Sequence, residues 1–302
     1  MNANKPLSVN NFSKSYSTFL AVDKLSLEIN AGEVFGFLGP NGAGKSTTIR
    51  TMMNFIKPST GEIKIFGLDS VQDRVKLKEH VGYLAGDIAL YGNMTGRQVL
   101  NYLANLRKDT DWTYVEDLIR RLDAPMDRSI STLSKGNKQK IGLLQAFMHK
   151  PDLLILDEPT SGLDPLMKQV FYDMVLEMKN AGKAAFISSH DLTEVQKICD
   201  RAGFIRDGKL IAIENLHDEN AISYKKYQVR FEKTPAMDDF AVNSNVQIVA
   251  NENNVITFTV TGKIDSFVKT IAQYEVLELN EQETSLEDVF MQYYERDKRN
   301  VE

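Results

Sequence analysis

Eight residues restrict the fold of this 302-residue chain more than any others: Gly39-Pro40-Asn41-Gly42-Ala43-Gly44-Lys45-Ser46. They follow Val34-Phe35-Gly36-Phe37-Leu38, a continuous apolar run with the length of a strand buried on both faces. They precede a helical stretch that opens near Lys45 and must end before Pro58, because the residue ahead of a proline is pushed out of the helical region. Strand, glycine-rich loop and helix in this order match G-x-x-x-x-G-K-[ST] at every fixed position. Glycines let successive N–H groups curl around an anion, and the helix start adds a field that favours negative charge. Lys45 can place a point charge on the β- and γ-phosphates of a nucleotide, and the Ser46 hydroxyl can ligate Mg²⁺. Gly39 to Ser46, with Thr47 next in line, is therefore a candidate nucleotide site. The glycines do not have the G-x-G-x-x-G spacing of a dinucleotide fold.

A second motif fits the first. Leu153-Leu154-Ile155-Leu156-Asp157-Glu158 is a buried strand that ends in two acids. At the end of such a strand Asp157 can hold Mg²⁺ beside the phosphate loop. Glu158, one residue on, can act as general base on an attacking water.

The rest of the chain supplies a layered α/β frame for these motifs. Leu25, Leu27 and Ile29 alternate with polar residues as in a half-buried strand, and Gly61–Phe66 reads as another. From about 94 to 149 the apolar residues recur at helical spacing, as in Val99, Leu100, Leu103 and Leu106. Strands are expected at Leu153–Leu156 and Ala184–Ser188, with a helix at Leu166–Asn180 between them, which implies parallel pairing. Asp207-Gly208 marks a hairpin between Gly203–Arg206 and Lys209–Ile213. Beyond His217 the order β-α-β-β-α-β-α fits a small α+β ferredoxin-like module, its last helix at Ser285–Tyr294. We therefore expect one domain over 1–217, with a helical part at about 94–149, and an accessory domain over 218–302.

Charge follows the same division. Residues 1–217 carry 27 Lys and Arg against 25 Asp and Glu, and residues 218–302 carry 9 against 16. The acidic second part argues against nucleic acid as a direct partner. Cys199 is the only cysteine, so no internal disulfide can form. No apolar run reaches the ~18–20 residues of a membrane span, and the first residues lack the apolar core of a signal peptide. A cytoplasmic protein is expected.

Shorter motifs complete the pattern. They are Tyr16 in Ser13-Lys14-Ser15-Tyr16, Leu133-Ser134-Lys135-Gly136-Asn137-Lys138-Gln139-Lys140, Ser161-Gly162-Leu163-Asp164, and His190 in Ile187-Ser188-Ser189-His190. In this order, over about residues 7–215, they resemble the ATP-binding subunits of ABC transporters. The resemblance implies a P-loop NTPase cassette with a RecA-like core, an antiparallel β subdomain and a helical subdomain. ATP and Mg²⁺ are the implied cofactors. Tyr16 is implied to stack on adenine, and His190 to hydrogen-bond the γ-phosphate. Ser134, Lys135, Gly136 and Asn137 are implied to form the signature that meets the ATP of a partner subunit, and Asp164 to belong to the D-loop. The physical logic of the signature is that serine is a good N-cap and that a helix start attracts anions.

The partners implied are a second ATP-binding subunit, in a homodimer or heterodimer, and a separate transmembrane permease. That pairing would hold the chain at the inner face of the cell membrane. Chromosome-type relatives carry long coiled coils between the two phosphate motifs. Here Ser46 and Ser134 are 88 positions apart, without sustained heptads. An ATPase that acts on another macromolecule is thus the second reading. The tail, with Ser285-Leu286-Glu287-Asp288-Val289-Phe290 and Tyr293-Tyr294, is similar to bacterial subunits paired with ABC-2 type permeases. Those mostly export drugs, peptides, lipids or polysaccharides.

Two positions depart from the family pattern. Lys135 and Asn137 stand where glycine and glutamine are usual, and Lys135 is expected to bring positive charge near the partner's nucleotide. Ala85 and Gly86 stand where proline and a glutamine that touches Mg²⁺ are usual. Modest basal activity and looser coupling to the permease are therefore expected, and Gly86→Gln should raise turnover or alter its stimulation by the partner, unless the loop shifts so that Asp87 faces the metal.

Overall fold

The computed structural model describes residues 5–107, 110–216, 224–241, 245–252 and 254–282. They divide into two units, one ending at Glu214 and one beginning at Asn215. The expected boundary at 217/218 and the tail motifs at 285–294 lie outside the described residues.

Three strands open the first unit: β1 (Leu7–Tyr16), β2 (Phe19–Ile29) and β3 (Val34–Leu38). Next come α1 (Lys45–Met52), β4 (Thr60–Ile65), β5 (Leu68–Asp69), α2 (Arg74–Leu77) and β6 (Val81–Leu84). The helical part holds α3 (Gly96–Leu106), α4 (Trp112–Arg121) and, after a 3-10 turn at Ile130–Thr132, α5 (Lys135–Phe147). Then β7 (Leu153–Asp157), α6 (Pro165–Asn180), β8 (Ala184–Ser189), α7 (Leu192–Ile198), β9 (Arg201–Arg206) and β10 (Lys209–Asn215) follow.

These strands form two sheets. β2-β1-β4-β5 is antiparallel, and β10-β9-β3-β8-β7-β6 has a parallel centre. Every residue of β3, β7 and β8 is buried, as two covered faces require. One core cluster joins Phe12, Leu25 and Ile63 of the antiparallel sheet, Ile49 and Met52 of α1, and Phe37, Ile155 and Phe186 of the parallel sheet. Each fully buried side chain of this size contributes about 1.5–3 kcal/mol relative to exposure. α1 is thereby fixed between the sheets, and with it the loop that opens it.

The helices start where their caps say. Thr95 and Gln98 form a reciprocal capping box on α3, and Asp111 caps α4 through Tyr114 N. Asp164 caps α6, with Pro165 at the first helical position. A separate small cluster of Val99, Ile130, Leu133 and Ile141 packs α3 and α5 together.

The second unit contains β11 (Tyr224–Phe231), α8 (Asp238–Ala241), β12 (Val246–Glu252), β13 (Val255–Thr261), α9 (Asp265–Ile271) and β14 (Val276–Gln282). Its antiparallel sheet has the order β12-β13-β11-β14, the order of a ferredoxin-like module. Phe231, Phe240, Phe258 and Phe267 fill its own core. No helix among the described residues is long and apolar enough to cross a membrane.

Candidate functional site

Parallel pairing decides where the polar residues meet. β3, β8 and β7 are neighbours, with Leu38 opposite Ser189 and Asp157 opposite Ser188. The phosphate loop, Asp157-Glu158 and His190 therefore all leave the sheet at its carboxyl end, where ligands bind in open α/β sheets. Gly44 is the N-cap of α1, at φ 107 and with no side-chain cap. That left-handed conformation costs glycine nothing. The first N–H groups of α1 have no intrahelical acceptors, so they face the loop as anion donors.

Lys45 lies inside this loop, 6% exposed, and its ammonium donates to Gly39 O at 2.6 Å and Pro40 O at 3.2 Å. It stands 3.6 Å from Glu158 Oε1. Glu158 adopts φ 50, a conformation rare for a non-glycine residue. Ser188 holds it there, accepting the Glu158 N–H through its carbonyl at 3.2 Å and its hydroxyl at 3.1 Å. The other Glu158 oxygen is 2.7 Å from His190 Nδ1. An ionised carboxylate only accepts, so Nδ1 carries the hydrogen and Nε2 is the ring nitrogen left for another group. Asp157 is 5% exposed, and its Oδ1 accepts from Ser188 Oγ. Burial, with the Asp157 charge as the second cause, pushes the Tyr83 phenol up to about 12.

A cleft of about 330 Å³ opens over Lys45 and Glu158, and Gly39, Asp157 and His190 stand outside its lining. Tyr16, Pro40, Asn41, Gly42, Gly44, Lys45, Ser46, Thr47 and Glu158 line it. Phe19, which the sequence reading passed over, lines it too. Ala43 is buried and serves the loop itself, its N–H bonded to Pro40 O and its carbonyl to Gly208 N.

The signature residues form a second cluster, outside the lining of this cleft. Ser134 caps α5, its hydroxyl accepting from Asn137 N at 3.3 Å. A Cβ at Gly136 would come within 2.3 Å of Gly162 O, so only glycine lets α5 approach the 161–162 turn this closely. Lys135, its neighbour in the chain, reaches the same turn. Its ammonium donates to Ser161 Oγ at 2.8 Å and braces the same turn. Asp164, nearby in the chain, is exposed and accepts from Met167 N at 3.0 Å as the cap of α6.

Two connections were not read from sequence. Gln139, buried in α5, donates to Glu158 O at 3.2 Å and Pro159 O at 2.7 Å, so α5 is bolted to the turn that follows β7. Glu194, 7% exposed, accepts from Thr160 Oγ1, Lys168 Nζ and Ser189 Oγ. It ties the turn after Glu158 to the strand end before His190. A buried carboxylate needs such partners, and their presence is the only sign that would have marked it.

Gly86 stands against the carboxylate of Asp157. A Cβ at this position would stand 3.1 Å from Asp157 Oδ2 and 3.2 Å from its Cγ. A side chain here requires the Asp157 carboxylate to give by a few tenths of an ångström. Asp87, the proposed substitute, is exposed.

Known proteins share this arrangement. The family model described as ABC transporter matches residues 22–161. The chain is 32% identical over 302 residues, 98% of each chain, to the uncharacterized ABC transporter ATP-binding protein YhcH of Bacillus subtilis (strain 168). It is 30% identical over 290 residues, 92% of this chain and 94% of the other, to the bacitracin transport ATP-binding protein BcrA of Bacillus licheniformis. The solved structure of an ATP-binding subunit of an ABC transporter superposes with a TM-score of 0.64 at 28% identity, over 70% of this chain and 90% of that one.

Proposed function

The chain belongs to the ABC transporter family as an ATP-binding, ATP-hydrolysing subunit, and from that premise we propose how its residues divide the work. The carrying observation is that Lys45 and Glu158, from neighbouring parts of one sheet end, face each other at 3.6 Å in a cleft that Tyr16 also lines. The triphosphate lies along Gly39–Thr47 with Lys45 on its β- and γ-phosphates. Tyr16 stacks on the base. Glu158 takes the proton of the attacking water, and His190 is held by Glu158 so that Nε2 meets the γ-phosphate.

Among the described residues no group of three or more His, Cys, Asp and Glu side chains could hold a metal by itself. One hydroxyl and one buried carboxylate are instead the sparse oxygen set that suits Mg²⁺ shared with phosphates. Ser46 and Asp157 would hold it. Bound there, it would neutralise charge on the β- and γ-phosphate oxygens.

The signature stands outside the cleft of its own chain, which supports a head-to-tail dimer in which Ser134 of each copy meets the nucleotide of the other. A separate membrane permease and a position at the inner membrane face complete the proposal. Export of a drug, peptide, lipid or polysaccharide is the cargo reading, in keeping with the name of the bacitracin relative. The relatives named as transport subunits favour this over action on a soluble macromolecule. We further propose that 218–302 is an accessory domain that folds apart from the cassette.

Glu158→Gln tests the assignment. It should retain ATP binding while hydrolysis falls about 10²–10⁴-fold. Light scattering in Mg²⁺ and ATP should then show an accumulated dimer. A variant that hydrolyses at the wild-type rate, or stays monomeric at saturating ATP, contradicts it.

A further inference from the structure

We propose that Phe19 is a second aromatic contact for the nucleobase, so that the base is read by a platform of two rings, Tyr16 and Phe19. The inference rests on the nucleotide reading of the cleft and adds a residue that no motif assigns. Tyr16 and Phe19 are the last cross-strand pair of the β1–β2 hairpin, closed by Ser17 and Thr18. Residues directly opposite in an antiparallel pair project from the same face, with Cβ atoms about 4.5–5.5 Å apart. Both line the cleft that holds Lys45 and Ser46. Both are large, apolar and open to solvent, at 45% and 65% exposure.

Tyr16 is already engaged on one side. Lys14 Nζ lies 5.0 Å from its ring centroid and is itself fixed by a 2.9 Å bond to Lys57 O. That leaves one Tyr16 face for a base, which a single ring covers only in part. A purine has two fused rings, and Phe19 supplies the additional apolar surface on the same side of the hairpin. Ala21, which also lines the cleft, is small and brings no group that could read a base edge. Recognition at this end of the cleft is by ring face and apolar contact, with the phosphates held separately by the loop around Lys45.

The two ends of the nucleotide can be tested apart. The full chain is titrated calorimetrically with Mg²⁺-ATP and with Mg²⁺-tripolyphosphate, which has the phosphates and no base. Phe19→Ala should weaken ATP about 5- to 150-fold, the range for loss of a base–aromatic contact, and leave tripolyphosphate unchanged. Phe19→Tyr should restore ATP affinity. Unchanged ATP affinity in Phe19→Ala overturns the proposal, as does equal weakening of both ligands, which would mean a disturbed hairpin. A loss of ATP-dependent dimer with intact ATP affinity overturns it too, because Phe19 would then serve the second copy. If wild-type protein binds neither ligand, the nucleotide reading of the cleft falls first, and this inference with it.

Discussion

Two helices of the first unit begin at phosphate-type motifs, and they begin differently. α1 opens at Gly44, with φ 107 and no side-chain cap, at the end of a fully buried central strand. α5 opens at Ser134, with φ −61 and its own hydroxyl capping Asn137 N, after the 3-10 turn at Ile130–Thr132. The first start keeps its N–H donors for a ligand and has Lys45 and Glu158 beside it. The second has already used its serine oxygen on its own backbone, and can offer the hydroxyl hydrogen and the remaining N–H groups. Its neighbours are the 161–162 turn and Ser161, which brace it. On the proposed function, one start is a site within its chain and the other becomes a site when a partner's nucleotide is brought to it.

The sharpest way to break this comparison is Lys45→Ala. If α1 alone forms the primary site, the variant should lose about 100-fold or more in ATP affinity, since it removes charge-assisted bonds worth about 1.5–3 kcal/mol each. Equilibrium binding in the monomeric chain measures it, and near-normal affinity would erase the distinction between the two helix starts.

A smaller effect concerns the far end of α5. His149 follows this helix, and its Nε2 lies 3.1 Å from Val81 O at β6. Burial first, and the nearby Arg107 second, push this imidazole from 6.5 down to about 4, with the Val81 carbonyl opposing the shift, Lys183 adding to it and Asp152 opposing it. The folded state thus resists a proton that the unfolded chain accepts. Stability should be intact above pH 6.5, fall as pH drops towards 4, and level off below, losing roughly 3 kcal/mol in all from this group. Denaturant midpoints across this range measure the slope, and His149→Gln should flatten it. An unaltered slope in the variant would mean that α5 is not anchored through this residue.

Ser134→Ala probes the same helix at its other end. Isolated chains should bind ATP as wild type does, whereas hydrolysis at dimer-forming concentrations should fall about ten- to a hundredfold, the cost of one hydrogen bond to a charged group. The lost cap should lower helix stability by only about 1 kcal/mol. A variant that fails to bind ATP as a monomer would place Ser134 in the primary site and remove the contrast.

These residues differ in how openly the sequence declares them. The α1 start was legible because every fixed position sits in one contiguous stretch with a buried strand ahead of it. β7 and β8 were legible because a strand buried on both faces is a plain apolar run. β1 was not, because register shifts between Val9 and Ser15, with Asn11 at φ 46, break the alternation that marks a half-buried strand. β6 was hidden by its brevity and by Gly82, where a Cβ would meet Ala146 O at 2.2 Å. Gln139 and Glu194 were invisible because their meaning lies largely in distant partners, Glu158 for Gln139 and Thr160 and Lys168 for Glu194, 19 to 34 residues away. Phe19 carried no signal until the hairpin register set it beside Tyr16.

Gly86 gives the smallest effect and the finest test of the α1 site. The strand end after β6 brings its backbone against Asp157, the carboxylate assigned to Mg²⁺, so that an added Cβ would sit 3.1 Å from Oδ2. Asp157 has little room to yield, being 5% exposed with its other oxygen bonded to Ser188 Oγ. Gly86→Ala should therefore shift the carboxylate by a few tenths of an ångström, at a cost of about 1 kcal/mol or roughly a fivefold loss of hydrolysis. The loss should appear as a higher Mg²⁺ requirement, with ATP binding in the presence of a chelator unchanged, because the loop around Lys45 is untouched. Gly86→Gln should be slower than Gly86→Ala, and Asp87→Ala should match wild type, since Asp87 is exposed. Faster hydrolysis in Gly86→Gln would show that this loop can carry a catalytic side chain after all, and that the contact with Asp157 is not what keeps position 86 a glycine.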